Sequence, residues 1–96
     1  MMKHLQSDMT TQDSLIEYPC DFPIKVMGET QPGFAQAVMD VVTRHAPDFD
    51  ARTMEMRKSR LGKYLSLTVT VRANSRLQLD ELYRDLCDHP MVKMVL

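Results

Sequence analysis

Eight consecutive residues, Tyr64-Leu65-Ser66-Leu67-Thr68-Val69-Thr70-Val71, alternate between two kinds of side chain. Successive side chains of a strand point to opposite faces, so this run buries one face of a sheet and leaves the other to water. Around it the apolar periodicity reads strand, helix, strand, strand, helix, strand. A chain of 96 residues with that order is expected to form one domain, burying about 60–65% of its unfolded surface in a single layer between sheet and helices.

The other elements follow from local patterns. Phe22, Ile24 and Val26 alternate with Pro23, Lys25 and Met27, predicting a first strand that Gly28 ends, with the first set towards the helices. Pro32 suits the first turn of a helix, where its missing N–H has no bond to lose. Phe34, Ala37, Val38, Val41, Val42 and His45 then recur at helical steps up to Pro47. Thr53 to Lys58 reads as a second strand, although Met54 and Met56 are weak strand formers. Ser59-Arg60-Leu61-Gly62 turns the chain into the alternating run. Ser75 with Gln78 makes a capping-box pattern, and Leu79, Leu82, Tyr83 and Leu86 form the inward stripe of a second helix closed by His89-Pro90. Met91 to Leu96 is a last strand with Val92, Met94 and Leu96 as its buried set. Residues 1–14 are polar and aperiodic and are expected to be a flexible tail, which leaves 15–96 as the domain.

Right-handed crossovers applied to this order place the first and third strands centrally and the second and fourth at the edges. The fold class is therefore α+β, a ferredoxin-like βαββαβ sandwich with a four-stranded antiparallel sheet and two helices on one face. The opposite face carries Lys25, Met27, Tyr64, Ser66, Thr68 and Thr70, with Lys93 and Val95 added by the alternation of the last strand. No element remains to cover it.

Four short motifs carry a resemblance. At Lys25-Val26-Met27-Gly28, at Arg44-His45-Ala46-Pro47, at Ser59 through Gly62 to Tyr64-x-Ser66, and at Met94-Val95-Leu96, the chain resembles the YbeD-like family of small bacterial proteins of unknown function. The match runs from about Leu15 to the last residue, with the motifs in order at matching separations. The resemblance implies a fold similar to the ACT domains that sense small molecules, often amino acids, around the loop from first strand to first helix. It implies no known activity.

Composition and motifs argue against several functions. Formal net charge is −1, so general affinity for nucleic acid or acidic membranes is not expected. No apolar stretch approaches the length that spans a bilayer, and the polar start has no signal-peptide core, so a cytoplasmic protein is expected. Cys20 and Cys87 lack metal or redox spacing and are placed at opposite ends of the sheet, as free thiols. The histidines, His4, His45 and His89, form no metal motif, and His45 is explained by a helix C-terminus. The glycines, Gly28, Gly33 and Gly62, make no phosphate-binding or dinucleotide pattern. The nine methionines are filling or edge packing, with no cysteine or histidine among them to suggest a soft-metal site. No cofactor or metal is expected, and the chain reads as non-enzymatic. The alternative of a small enzyme rests on His89 near Tyr64 and Lys63.

Two surfaces remain. At one end of the sheet, N–H groups of the first helix near Gly33 and Phe34, together with Gly28, are placed near Lys58, Arg60, Lys63 and Tyr64, a setting for a small anionic metabolite. Glu29 opposes it. The second is the open face, where Lys25, Met27, Tyr64, Ser66, Thr68 and Lys93 suit contact with a partner protein or a second copy. RNA binding there is the weaker alternative, since Tyr64 is the face's one aromatic side chain. Edge strands offer another route to a homodimer. These readings converge on a small regulatory or adaptor protein.

Overall fold

Alternation in β3 (Tyr64–Ala73) organises the sheet. The computed structural model describes residues 17–96, and in it Leu65, Leu67, Val69 and Val71 are buried beneath the helices while the residues between them stand on the other face. β1 (Cys20–Glu29) pairs antiparallel with β3 along its whole length, from Cys20 opposite Ala73 to Glu29 opposite Tyr64. β2 (Glu55–Lys58) lies on the far side of β3, and β4 (Met94–Val95) lies against β1. The order β2-β3-β1-β4 puts the first and third strands centrally. With α1 (Phe34–His45) and α2 (Arg76–Asp88), this is a ferredoxin-like fold. The tail expected over residues 1–14 lies outside the described residues.

The core is the layer between sheet and helices. Ile24, Val26, Leu67 and Val69 from the central strands meet Phe34, Val38 and Val42 of α1 and Leu82 and Leu86 of α2, all essentially inaccessible. Burying each such side chain contributes about 1.5–3 kcal/mol. Polar bonds fix the helices to one another. His45 Nε2 lies 2.6 Å from Asp85 Oδ2, and Gln78 Nε2 donates to the His45 carbonyl at 2.7 Å. His45 thus has a specific partner on α2 beyond the helix terminus that the sequence suggested. Ser75 Oγ accepts the Gln78 N–H at 3.1 Å, so the expected cap forms, while Gln78 Oε1 accepts from the Asn74 N–H at 2.6 Å.

Several boundaries differ from expectation, each for a local reason. Gly28 lies inside β1, and a Cβ there would meet the Met91 carbonyl oxygen and, at 2.6 Å, the ring of Phe34. Pro32 precedes α1, because Gly33 takes a left-handed φ of 87° at the N-cap and breaks continuity with the first helical turn. β2 begins at Glu55 rather than Thr53. Residues Ala51–Thr53 instead form a short 3-10 turn, in which Asp50 Oδ1 accepts the Arg52 N–H at 2.9 Å and Thr53 Oγ1 donates to the Asp50 carbonyl at 2.7 Å. Hydrogen bonds from Arg52 also hold the Asp50 carboxyl below its usual pKa.

The last strand departs most. Met91 donates to His89 Nδ1 at 3.1 Å and Val92 to the His89 carbonyl at 3.0 Å, so both are spent on a turn before pairing begins. Val95 then sits opposite Val26, half-buried towards the helices, and Met94 sits opposite Met27. The expected buried set is corrected: Met94 and Leu96 are 50% and 62% exposed. Lys25 and Leu96 exchange two backbone hydrogen bonds, at 3.1 and 2.8 Å, which turns the Lys25 N–H away from β3. By the same period of two, the nitrogen of Pro23 faces the outer side, past the end of β4, and its absent N–H removes no bond from the sheet.

Candidate functional site

Register assembles the open face from segments far apart in sequence. One cross-strand row runs Arg57, Ser66, Met27, Met94, and the next runs Glu55, Thr68, Lys25, Leu96. Neighbouring strands stand about 4.8 Å apart, so each row is a short ladder of four side chains. Polar groups from β3 line the middle, and methionine and leucine from β1 and the C-terminal residues supply an apolar floor. Met94 and Leu96 replace Lys93 and Val95 as the members of this face nearest the C-terminus. Lys93 is exposed and donates its N–H to the Met27 carbonyl at 2.8 Å, one residue before the register of Met94 and Val95 begins, and Val95 turns to the core.

At the junction of these rows lies a shallow concavity of about 250 Å³, bounded by Lys25, Met27, Arg57, Tyr64, Ser66 and Leu96 among others. A second, of about 370 Å³, shares Lys25, Arg57 and Ser66 with it and ends at Glu55 and Met56. A third, of about 510 Å³, shares Ser59 and Tyr64 and is completed by Arg60, Leu61 and Lys63 of the hairpin. Through their common residues the three form one trough along the β2–β3 side of the sheet. The hairpin that shapes its end is held by Gly62 at φ 77°, by the Gly62 N–H to the Ser59 carbonyl at 2.9 Å, and by Ser59 Oγ accepting the Tyr64 N–H at 3.0 Å.

The trough is cationic over an apolar base. Lys63 Nζ lies 5.5 Å from the centroid of the Tyr64 ring, within cation–π range. Lys25, Arg57 and Lys58 make no ion pair with a described residue, whereas Arg72 further along the same face is paired with Asp21 at 3.2 Å. Unpaired cations beside exposed aliphatic groups can receive a carboxylate or phosphate with some apolar contact at no desolvation of an existing pair.

The residues expected to bind a small anion divide into two groups. Lys58, Arg60, Lys63 and Tyr64 line the trough. Gly28 and Gly33 do not: Gly28 is buried beneath Phe34, and Gly33 faces open space. The Phe34 N–H is directed to the Gln31 carbonyl at 3.3 Å. Gly28 therefore admits the Phe34 ring rather than a ligand. Of the residues expected to meet a protein partner, Lys25, Met27, Tyr64 and Ser66 line the concavity described above, and Thr68 lies on the Lys25 row. Arg57, Met94 and Leu96 were missed. The odd-numbered register shared by Arg57 and Glu55 could have found Arg57, but the last strand required knowledge of its pairing. His89 does not line the concavities around Tyr64 and Lys63. Among the described residues no cluster of histidine, cysteine and carboxylate could hold a metal, and both cysteines are free.

A four-stranded antiparallel sheet in the order β2-β3-β1-β4, with two helices on one face, defines a small α+β protein of the ferredoxin-like class. Within that class, the chain belongs to the family described as Protein of unknown function (DUF493), which matches residues 13–96. A UPF0250 protein of Nitrosomonas europaea is 63% identical over 86 residues, covering 90% of this chain and 99% of that one. A UPF0250 protein of Bordetella pertussis is 60% identical over 85 residues, covering 88% and 93%. Among solved structures, protein HP0495 from H. pylori is similar with a TM-score of 0.70 at 18% identity, covering 84% of this chain and 85% of that one. The ACT domain of GTP pyrophosphokinase from Chlorobium tepidum is similar with a TM-score of 0.60 at 19% identity, covering 79% and 84%. These structural likenesses concern the fold.

Proposed function

We propose that the chain is a non-enzymatic adaptor or regulatory protein of the cytoplasm that binds another protein on the open face of its sheet. The observation that carries this reading is the continuous trough on a face that no described element covers, rimmed by cations that make no ion pair with a described residue. Its shallowness favours a macromolecular surface, since small-molecule sites enclose most of their ligand. Free thiols at Cys20 and Cys87 suit a reducing compartment. No helix among the described residues is long and apolar enough to cross a membrane. The likeness to an ACT domain supports a regulatory role at the level of fold.

The test is a blocked trough. Ser66→Tyr places a neutral ring in its centre, and Leu77→Gln changes an exposed residue of α2 as a control. Immobilised wild type and Leu77→Gln are expected to retain the same partners from a cell extract, and Ser66→Tyr to lose them. Full retention by Ser66→Tyr would move the function elsewhere. A second reading, a small anionic metabolite, is favoured by the grouping of Arg60, Lys63 and Tyr64 in one concavity. Chemical-shift mapping with amino acids, nucleotides and short-chain acids tests it, and an unmoved Tyr64 amide would end it.

A further inference from the structure

We infer that the open face receives an extended acidic segment of a partner protein, its carboxylates over Arg57 and Lys63 and its apolar side chains on Met27 and Leu96. The inference rests on the open-face reading and adds the chemistry of the occupant. Charge segregation is the first argument. Lys25, Arg57, Lys58, Arg60 and Lys63 line the trough, five of the chain's twelve lysines and arginines, against Glu55 among its acidic lining, while Glu29 flanks the hairpin end opposite Tyr64. A protein of net charge −1 thus holds a positive strip on one side, and such a strip steers and selects a negative partner.

Shape supplies the second argument. The trough runs from Lys63 past Tyr64 and Ser66 to Glu55, which stands opposite Thr68, roughly 17 Å at about 3.4 Å per residue, a length that an extended segment of about five residues spans. It is open throughout, so a free metabolite would leave most of it empty. The third argument separates protein from nucleic acid. Met27, Met94 and Leu96 supply aliphatic surface, and single-stranded nucleic acid needs successive aromatic platforms where this face has Tyr64. Glu55 closes the end remote from the hairpin and Glu29 flanks Tyr64 from the β1 side, so the carboxylates of the segment fall over Arg57 and Lys63, away from both.

The experiment is an amide-shift titration of the whole chain with a capped hexapeptide alternating glutamate and leucine. Its counterpart with lysine for glutamate, free glutarate and a short oligouridylate are the comparison arms. The acidic peptide is expected to move the amides of Met27, Arg57, Tyr64 and Ser66, to weaken with added salt, and to lose about tenfold in affinity in the double variant Arg57→Gln/Lys63→Gln. Equal binding of the lysine peptide, or no movement of those amides, overturns the inference. Matching shifts and affinity with glutarate would make the ligand a free anion, and tighter binding of the oligouridylate would make it a nucleic acid; either also overturns it. If the peptide fails while Ser66→Tyr still abolishes partner capture, the open-face reading stands and only the acidic occupant falls.

Discussion

Two faces of one strand, a single residue apart, do different work. On β3, Leu65, Leu67, Val69 and Val71 are closed off by α1 and α2, whereas Tyr64, Ser66, Thr68 and Thr70 stand on the face that no described helix covers, beside residues of the adjacent strands. The covered side is defined by volume and apolarity, so each position depends on its neighbours. The open side is defined by charge and register, and its residues can be exchanged without disturbing the core. On the proposed function, stability and recognition are separable by parity alone.

The strongest way to break that separation is at its covered side. Leu67→Ala is expected to lower unfolding free energy by about 2–5 kcal/mol, read by urea denaturation, because it opens a cavity in a fully buried site. Gly28→Ala should cost about 1–3 kcal/mol through overpacking against Phe34 and the Met91 carbonyl. Gly62→Ala should cost about 1–2 kcal/mol for another reason, its left-handed φ, since nothing stands within 4 Å of a Cβ there. Gly62→Asn should recover part of that loss, and Gly28→Asn none. On the open side, Ser66→Tyr should change stability by no more than about 0.5 kcal/mol while removing partner capture. A large loss of stability in Ser66→Tyr would show that the two faces are coupled.

The smallest effect lies in the helix layer. Burial, with a lesser contribution from Cys87, raises the pKa of Tyr83 above its ordinary value. The folded state then holds this proton more tightly than the unfolded state. Its contribution is complete below the unfolded pKa of about 10 and is lost as pH rises through the folded value. Tyr83→Phe should flatten that part of the alkaline decline, measured by denaturation across the range.

The core and strand order were legible because they depend on periodicity within a segment. Leu65 to Val71 announce their own face, and Phe34, Val38 and Val42 theirs. The last strand resisted because Val92, Met94, Val95 and Leu96 are apolar at both parities, so its face is set by pairing with Val26 and Met27. His45 and Asp85 stand forty residues apart, and nothing local joins them. Much of the open face was legible from alternation in Lys25, Met27 and Ser66. The trough was not, because Arg57, Ser66, Met27 and Met94 become neighbours only when three separate registers are known.

Pro23 gives the sheet a direction of growth. Its ring nitrogen occupies the outer margin of β1 where a fifth strand would seek a donor, and β4 beyond it offers a margin of two residues. The margin of β2 remains, exposed along all of Glu55–Lys58. A molecule that adds strands at that margin alone can join with one copy of itself, and each copy then keeps only the two-residue margin of β4. Strand addition confined to β2 would close at a pair, with the proline acting as a chain terminator at the level of assembly.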